Sequence, residues 1–322
     1  MKRGDIMNKK ITALGGGTGL SALLKGLKNF PVDITAVISV SDDGSSTGKL
    51  RSEFNIPAVG DIRKVISNLS EIDDNTKKLI EYRFRTSSDL NGHALGNLIL
   101  VAMLNMTGNL KESIASLAKL FDVRHTVLPL SEDFLTLMGE TVDGEIIEGE
   151  EHITKANKKY KRIFYKDEPT VLPEVIDAIL DADLVILSMG SLYTSLMPNL
   201  VCKSVIDAIN KTNAKVMYVC NAMTQPGETD GFKVSDHLKV LTNCLGENAI
   251  DAVLAANSNI DEKTLEKYRR KEEKDPVILD AAAIEDMGIE LVEDDILSIQ
   301  EGTIRHNGLK TGSIIFSYMM RD

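Results

Sequence analysis

The chain has 322 residues, 43% of them hydrophobic and 26% charged, enough to bury a core in one large α/β domain or two smaller ones. A net charge of −11 argues against a diffuse basic surface for nucleic acid or anionic lipid, so an anionic ligand must be met by a few placed cations and backbone amides. Cys202, Cys220 and Cys244 lie far apart with no CxxC pair, which speaks against a disulfide framework and a structural zinc site. No apolar run of signal or membrane-span length follows the basic stretch MKRGDIMNKK, and a cytoplasmic protein without membrane insertion is expected.

Residues 11–14 predict a short buried strand, which breaks into Gly15, Gly16, Gly17, Thr18 and Gly19 before helical spacing resumes at Ser21. Glycine permits positive φ and close approach of a ligand, and a helix start offers free N–H groups and a positive dipole end to a phosphate. Leu20 stands where a dinucleotide fingerprint needs its third glycine, and no Lys-Ser/Thr pair follows, which excludes a Walker A loop. A phosphate site is expected here, with a tight strand-to-helix turn as the alternative.

A second strand over 34–39 leads into Asp42, Asp43, Ser45, Ser46 and Thr47. Dinucleotide folds place an acid on a ribose hydroxyl at this point, and adjacent carboxylates near a diphosphate also suit Mg²⁺. A turn in which Asp caps the next segment is the plainer reading. Asp61 is the expected N-cap of a helix over 62–69. Arg63 and Lys64 then oppose the helix dipole, unless they share an anion or an ion pair. Farther on, NGHALGN precedes an apolar helix over 98–104 and sets His93 and Asn97 four apart, as a ligand or proton-transfer pair or as buried hydrogen-bonding groups. The histidines show no metal-ligand spacing, and no GxSxG elbow or catalytic Cys/His signature supports covalent hydrolysis.

Residues 124–168 break the rhythm, with an Asp-Gly hairpin signal in TVDGEII and an acidic stretch over 148–151, and read as a small β-rich insertion within a single domain over 1–322. Strands are predicted again at 184–188, 216–220 and 252–256, with amphipathic helices between them, as at Val201, Val205, Ile206 and Ile209. Alternating β and α units imply a mainly parallel sheet covered on both faces, a Rossmann-like doubly wound α/β fold. Ligands of such sheets bind outside the strand C-termini, so loops 189–195, 221–229 and 257–259 should share one rim with the first two.

The ordered motifs GGGTGLS (15–21), DDGSSTGKLR (42–51), GDIR (60–63), GHALGN (92–97), GSLYTSLMPNL (190–200), CNAMTQPGETDG (220–231) and IRHN (304–307) resemble those of the CofD/YvcK-like family over nearly the whole chain. The resemblance implies a Rossmann-like core with ligand in the crevice formed by these loops. It also implies one of two functions. One branch is a Mg²⁺-dependent transferase that moves a phospholactyl group from an activated guanosine diphosphate compound onto a deazaflavin hydroxyl. The other binds UDP-sugars such as UDP-N-acetylglucosamine and supports cell shape and wall synthesis on gluconeogenic carbon sources; the Asp-Asp-Gly loop and MTQPGETDG look like this branch.

By the same resemblance, residues 15–19 and Gly190, Ser191 and Tyr193 contact phosphates, and Asp42 and Asp43 hold ribose, base or Mg²⁺. Asn221 and Gln225 offer amides to base or sugar, and Arg305, with Arg63 second, supplies the cation for the diphosphate. No cofactor is required beyond Mg²⁺ as a candidate; a homo-oligomer and a regulatory protein partner are further expectations. Ser45 stands where the family pattern has a second glycine, and Asn307 replaces an Asp after His306.

Overall fold

A computed structural model describes residues 8–258, 260–300 and 303–321. Its main sheet has seven strands, all parallel: β1 (Lys9–Gly15), β2 (Val32–Ile38) and β3 (Thr126–Pro129), then, after β4 to β6 below, β7 (Leu184–Leu187), β8 (Lys215–Val219), β9 (Ala252–Ala256) and β10 (Glu290–Asp294). The spatial order β10-β9-β8-β7-β1-β2-β3 is doubly wound. The chain starts in the middle, builds outward one way to β3, and returns across β1 to build the other half from β7. The strand order therefore reverses between β1 and β7, and the crevice of such a fold opens there.

The predicted strands all form, because each is a run of β-branched or small apolar residues that a covered parallel strand buries on both faces: Ala13, Val37, Val185, Met217 and Val253 are fully buried. Both edge strands escape the sequence reading. Thr126–Pro129, assigned there to the β-rich region, instead joins the main sheet beside β2. Glu290–Asp294 carries three acids in five residues and buries only Val292, as a half-exposed edge does. The β-rich region proper is a three-stranded antiparallel sheet of β4 (Leu137–Thr141), β5 (Ile146–Glu148) and β6 (Tyr160–Tyr165), with the helix Glu150–Lys155 between the last two. A separate antiparallel pair, β11 (Leu297–Gln300) and β12 (Thr303–His306), carries Arg305 and His306. The helix Gly308–Met319 that follows is capped by the side chain of Asn307, which accepts from the Lys310 amide.

Two local expectations change. The helix expected to start after Asp61 spans Gly60–Leu69, so Asp61 lies in its first turn and pairs with Lys64 at 2.9 Å instead of capping. The helix after His93 begins only at Leu95, so His93 precedes it and shares no helical face with Asn97.

Candidate functional site

Gly17, the first residue of the helix Gly17–Leu27, has φ +61°, which a side chain would strain. Gly19 serves a different end: a Cβ there would lie 2.0 Å from the Met189 carbonyl oxygen, so this glycine lets the helix pack onto the loop after β7. The helix start has neither a side-chain cap nor an acid in its first turn, which leaves its amides available to an anion.

These amides border a cleft of about 420 Å³ at the reversal between β1 and β7. Gly16, Thr18 and Gly19 form one wall and Gly190, Ser191 and Ser195 the next; Asn221 and Gln225 come from the loop after β8. Arg305 and His306 of β12, with Tyr268, Glu272 and Lys274, close the far side. Among the described residues Arg305 makes no ion pair, whereas Lys274 is held by Glu272 at 2.9 Å. The His306 Nε2 lies 3.0 Å from the Cys220 carbonyl, so it carries the hydrogen, and burial pushes the imidazole down to about 4. A neutral ring with Nδ1 as its acceptor results.

Asn221 does not simply offer its amide to a ligand. Its Nδ2 donates to the Gly190 carbonyl at 2.6 Å, and its Oδ1 accepts from the Gly190 N–H at 2.8 Å. This closed pair clamps the loop after β7 to the loop after β8. The loop after β7 continues as a π-helical turn, Leu192–Leu196, with Ser191 accepting from the Thr194 amide at its head. Tyr193 therefore turns away from the cleft, and its ring packs against Tyr160 with centroids 5.7 Å apart.

A second, acidic cavity of about 260 Å³ shares Thr18 and Ser195 with the cleft and is lined by Gly17, Asp42, Asp61, Lys64 and Glu150 among others. Burial, with Asp42 next, pushes the Glu150 carboxyl well up, and the two acids are hydrogen-bonded to each other. Asp43 is spent elsewhere: its two oxygens accept the Glu151 and Glu150 amides at 2.8 and 3.2 Å, closing the start of the helix Glu150–Lys155. As a test of Mg²⁺, Asp42 and Asp43 do not converge, and no group of three or more His, Cys, Asp or Glu among the described residues is arranged to hold a metal ion.

The other predicted residues line neither cavity. Arg63 is buried and donates from Nε to Asn97 Oδ1 at 2.9 Å, with Glu81 3.8 Å from its Nη1; burial lowers its pKa. Its position against the helix dipole is thus offset by a carboxylate and an amide within the protein. His93 and Ser46, also buried, bond to one another at 2.8 Å. Gly15 is held beneath the turn, its carbonyl accepting from Asn199 Nδ2 and the Ser39 amide. Ser45 has φ +45°, the left-handed region, at the position where the family pattern has glycine. We expect Ser45→Gly to raise stability by up to about 1 kcal/mol, read from the urea midpoint; a lowered midpoint would show that the turn has no strain to release. The loop after β9 does not reach the cleft: the Asn257 amide donates to the Asp294 carbonyl, and Asn259 lies outside the described residues.

Sequence reasoning missed Tyr268, Glu272, Lys274 and His306 on the cleft, and Asp61 and Glu150 in the acidic cavity. The helix Glu262–Glu272 reads simply as a charged surface helix, and nothing in its pattern announces that Tyr268 is buried and accepts a hydrogen bond from the Ile304 amide.

The CofD family model, described as 2-phospho-L-lactate transferase CofD, matches residues 11–297. The protein named gluconeogenesis factor of Halalkalibacterium halodurans is 42% identical over 308 residues, covering 95% of each chain. The gluconeogenesis factor of Bacillus subtilis (strain 168) is 42% identical over 307 residues, covering 95% of this chain and 96% of its own. A crystal structure of a Bacillus halodurans protein has a TM-score of 0.93 at 41% identity, covering 96% of this chain and 99% of that one. Fold, motifs and these similarities agree: the chain belongs to the CofD family and is similar to the bacterial proteins named gluconeogenesis factors.

Proposed function

We propose that this protein is a cytoplasmic regulator that binds a nucleotide-sugar of the UDP-N-acetylglucosamine type, a gluconeogenesis factor supporting cell shape and wall synthesis on gluconeogenic carbon sources. The observation that carries the reading is the junction of two unlike cavities at Thr18 and Ser195. On one side, amides of the glycine turn and Arg305 suit a diphosphate; on the other, Asp42, Asp61 and Glu150 suit the hydroxyl donors of a sugar. The lining residues run from Gly16 to His306, in keeping with one domain over 1–322. Mg²⁺ is not required in this reading, and the signal passes to a protein partner or through a homo-oligomer.

The description of the matching family model favours a second reading, a Mg²⁺-dependent transfer of a phospholactyl group from a nucleotide diphosphate donor to a deazaflavin. A thermal-shift series separates the two. A ligand at a hundred times its Kd stabilises the fold by about 2.7 kcal/mol. UDP-N-acetylglucosamine is expected to raise the transition, with GDP and NADP leaving it in place. A shift with GDP alone, together with consumption of a phospholactyl donor, moves the assignment to the transferase. Arg305→Ala should weaken UDP-N-acetylglucosamine binding about tenfold by calorimetric titration, with the unliganded fold unaffected. Unchanged affinity would place the diphosphate elsewhere.

A further inference from the structure

Glu228 is 2% exposed, yet its carboxylate is not part of the cleft surface. Its Oε2 accepts from the Ser191 hydroxyl and its Oε1 from Gln225 Nε2, both at 2.5 Å. Ser191 and Gln225 line the cleft from two different loops, after β7 and after β8. On its other side Glu228 borders a separate cavity of about 410 Å³ with Tyr160, Tyr193 and Phe232. One buried acid therefore joins two walls of the ligand cleft from behind.

We propose that Glu228 is a positioning residue for the cleft, which sets the Ser191 hydroxyl and the Gln225 amide toward a bound diphosphate and couples ligand binding to uptake of one proton. The inference rests on the nucleotide-diphosphate reading above. While the carboxylate is ionised, the Ser191 hydroxyl must donate to it, and the Ser191 oxygen accepts from the Thr194 amide and hydroxyl at 3.1 and 2.6 Å. When Glu228 takes a proton from solvent, the new O–H donates to the Ser191 oxygen in place of the Thr194 hydroxyl, which rotates away because that oxygen has only two lone pairs. The Ser191 hydrogen is then released toward the cleft, and a negative charge behind the anion disappears. Both changes favour an anionic ligand.

Burial pushes the Glu228 carboxyl up to about 7, so the exchange falls in the neutral range. The titratable groups that face it are the phenols of Tyr160 on β6 and Tyr193 in the π-helical turn, both pushed up to about 12 and so neutral at these pH values. The cavity behind it also presents Lys159, Lys161 and Arg162, the last two paired with Glu140, and the Cys244 thiol, which burial pushes up to about 11. Across the cleft stand Arg305, His306 and the Lys274–Glu272 pair. The sign follows from linkage. The protonated form binds the anion better, so affinity is greatest below pH 7 and falls as pH rises through it.

The test is calorimetric titration of UDP-N-acetylglucosamine at pH 6, 7 and 8, with the intact chain and with Glu228→Gln. The diphosphate diester does not titrate in this range. The unaltered protein should bind about tenfold more weakly at pH 8 than at pH 6, with proton uptake seen as a buffer-dependent heat. Glu228→Gln, neutral and able to donate to Ser191, should bind with a flat profile. Equal pH slopes in both proteins, or a flat profile in the unaltered one, overturn the proposal. Hydrogen exchange of the unliganded proteins tests the positioning without any nucleotide: amides in 190–196 and 221–229 should exchange faster in Glu228→Ala, with Glu228→Gln close to the unaltered protein. If no UDP-sugar binds at any pH, the nucleotide reading fails on its own account, and unchanged exchange in both loops would remove Glu228 from the role.

Discussion

Gly19→Ala is expected to cost about 3 kcal/mol of stability and to abolish binding at the cleft. The added methyl would sit 2.0 Å from the Met189 carbonyl oxygen and 2.7 Å from its carbon, backbone atoms that cannot swing aside. Either the helix Gly17–Leu27 lifts from the sheet or the loop after β7 moves. Lifting the helix disturbs Leu20, Leu23, Leu24 and Leu27, all fully buried. Moving the loop displaces Gly190 and Ser191, and with them the clamp to Asn221. A urea denaturation series checks the first effect and titration with UDP-N-acetylglucosamine the second. A variant of full stability and affinity would mean that the close approach at Met189 is relaxed in solution.

Arg51→Met should destabilise by a similar amount, about 3 kcal/mol. Arg51 is 3% exposed, and its guanidinium donates to the carbonyls of Ser41, Asp42 and Leu135 at 2.8, 3.1 and 2.5 Å. Methionine fills much of the space of the stem but leaves these carbonyls without a donor, each at about 1 kcal/mol. Burial of the cation itself works the other way, lowering its pKa, and Arg51 Nε has no partner, so part of the loss is recovered. Arg51 also neutralises the neighbourhood of Asp42 and Asp43 and lies over the Phe134 ring at 4.4 Å. The denaturation midpoint of Arg51→Met, with Arg51→Lys as a partial rescue, reads the effect. Unaltered stability in the methionine variant would show that water satisfies the carbonyls as well as the guanidinium does.

Arg51 illustrates what can be read from a sequence and what cannot. It closes the motif DDGSSTGKLR, which was legible as a polar loop after the second strand, yet only the packed structure shows the arginine folding back to hold the start of its own motif. The strands at the centre of the sheet were legible because each is a continuous apolar run, as burial on both faces demands. The edges were not. Thr126–Pro129 is four residues ending in proline, and Glu290–Asp294 has three acids among its five residues, so neither has the signature of a buried strand.

Five loops at one sheet edge followed from the alternation of strand and helix, but their partition did not. The loops after β1, β7 and β8 meet at the main cleft, while the loop after β2 turns to the acidic cavity. Hydrogen bonds between residues far apart in sequence decide this: Asp43 closes a helix more than a hundred positions away, and Arg63 and Asn97 satisfy each other outside the lining of either cavity. A polar residue announces its chemistry in the sequence, but its partner is chosen by the fold.

The sequence by itself determined the fold class, the glycine turn at the first strand and the family, because periodicity and local turn chemistry act within a few residues of their cause. The tertiary structure alone decided which of the polar residues face a shared space, since a buried donor or acceptor must find its partner wherever the packed chain brings one. That is why Glu228, an unremarked acid in a recognised motif, emerges only in the folded chain as the group joining Ser191 to Gln225.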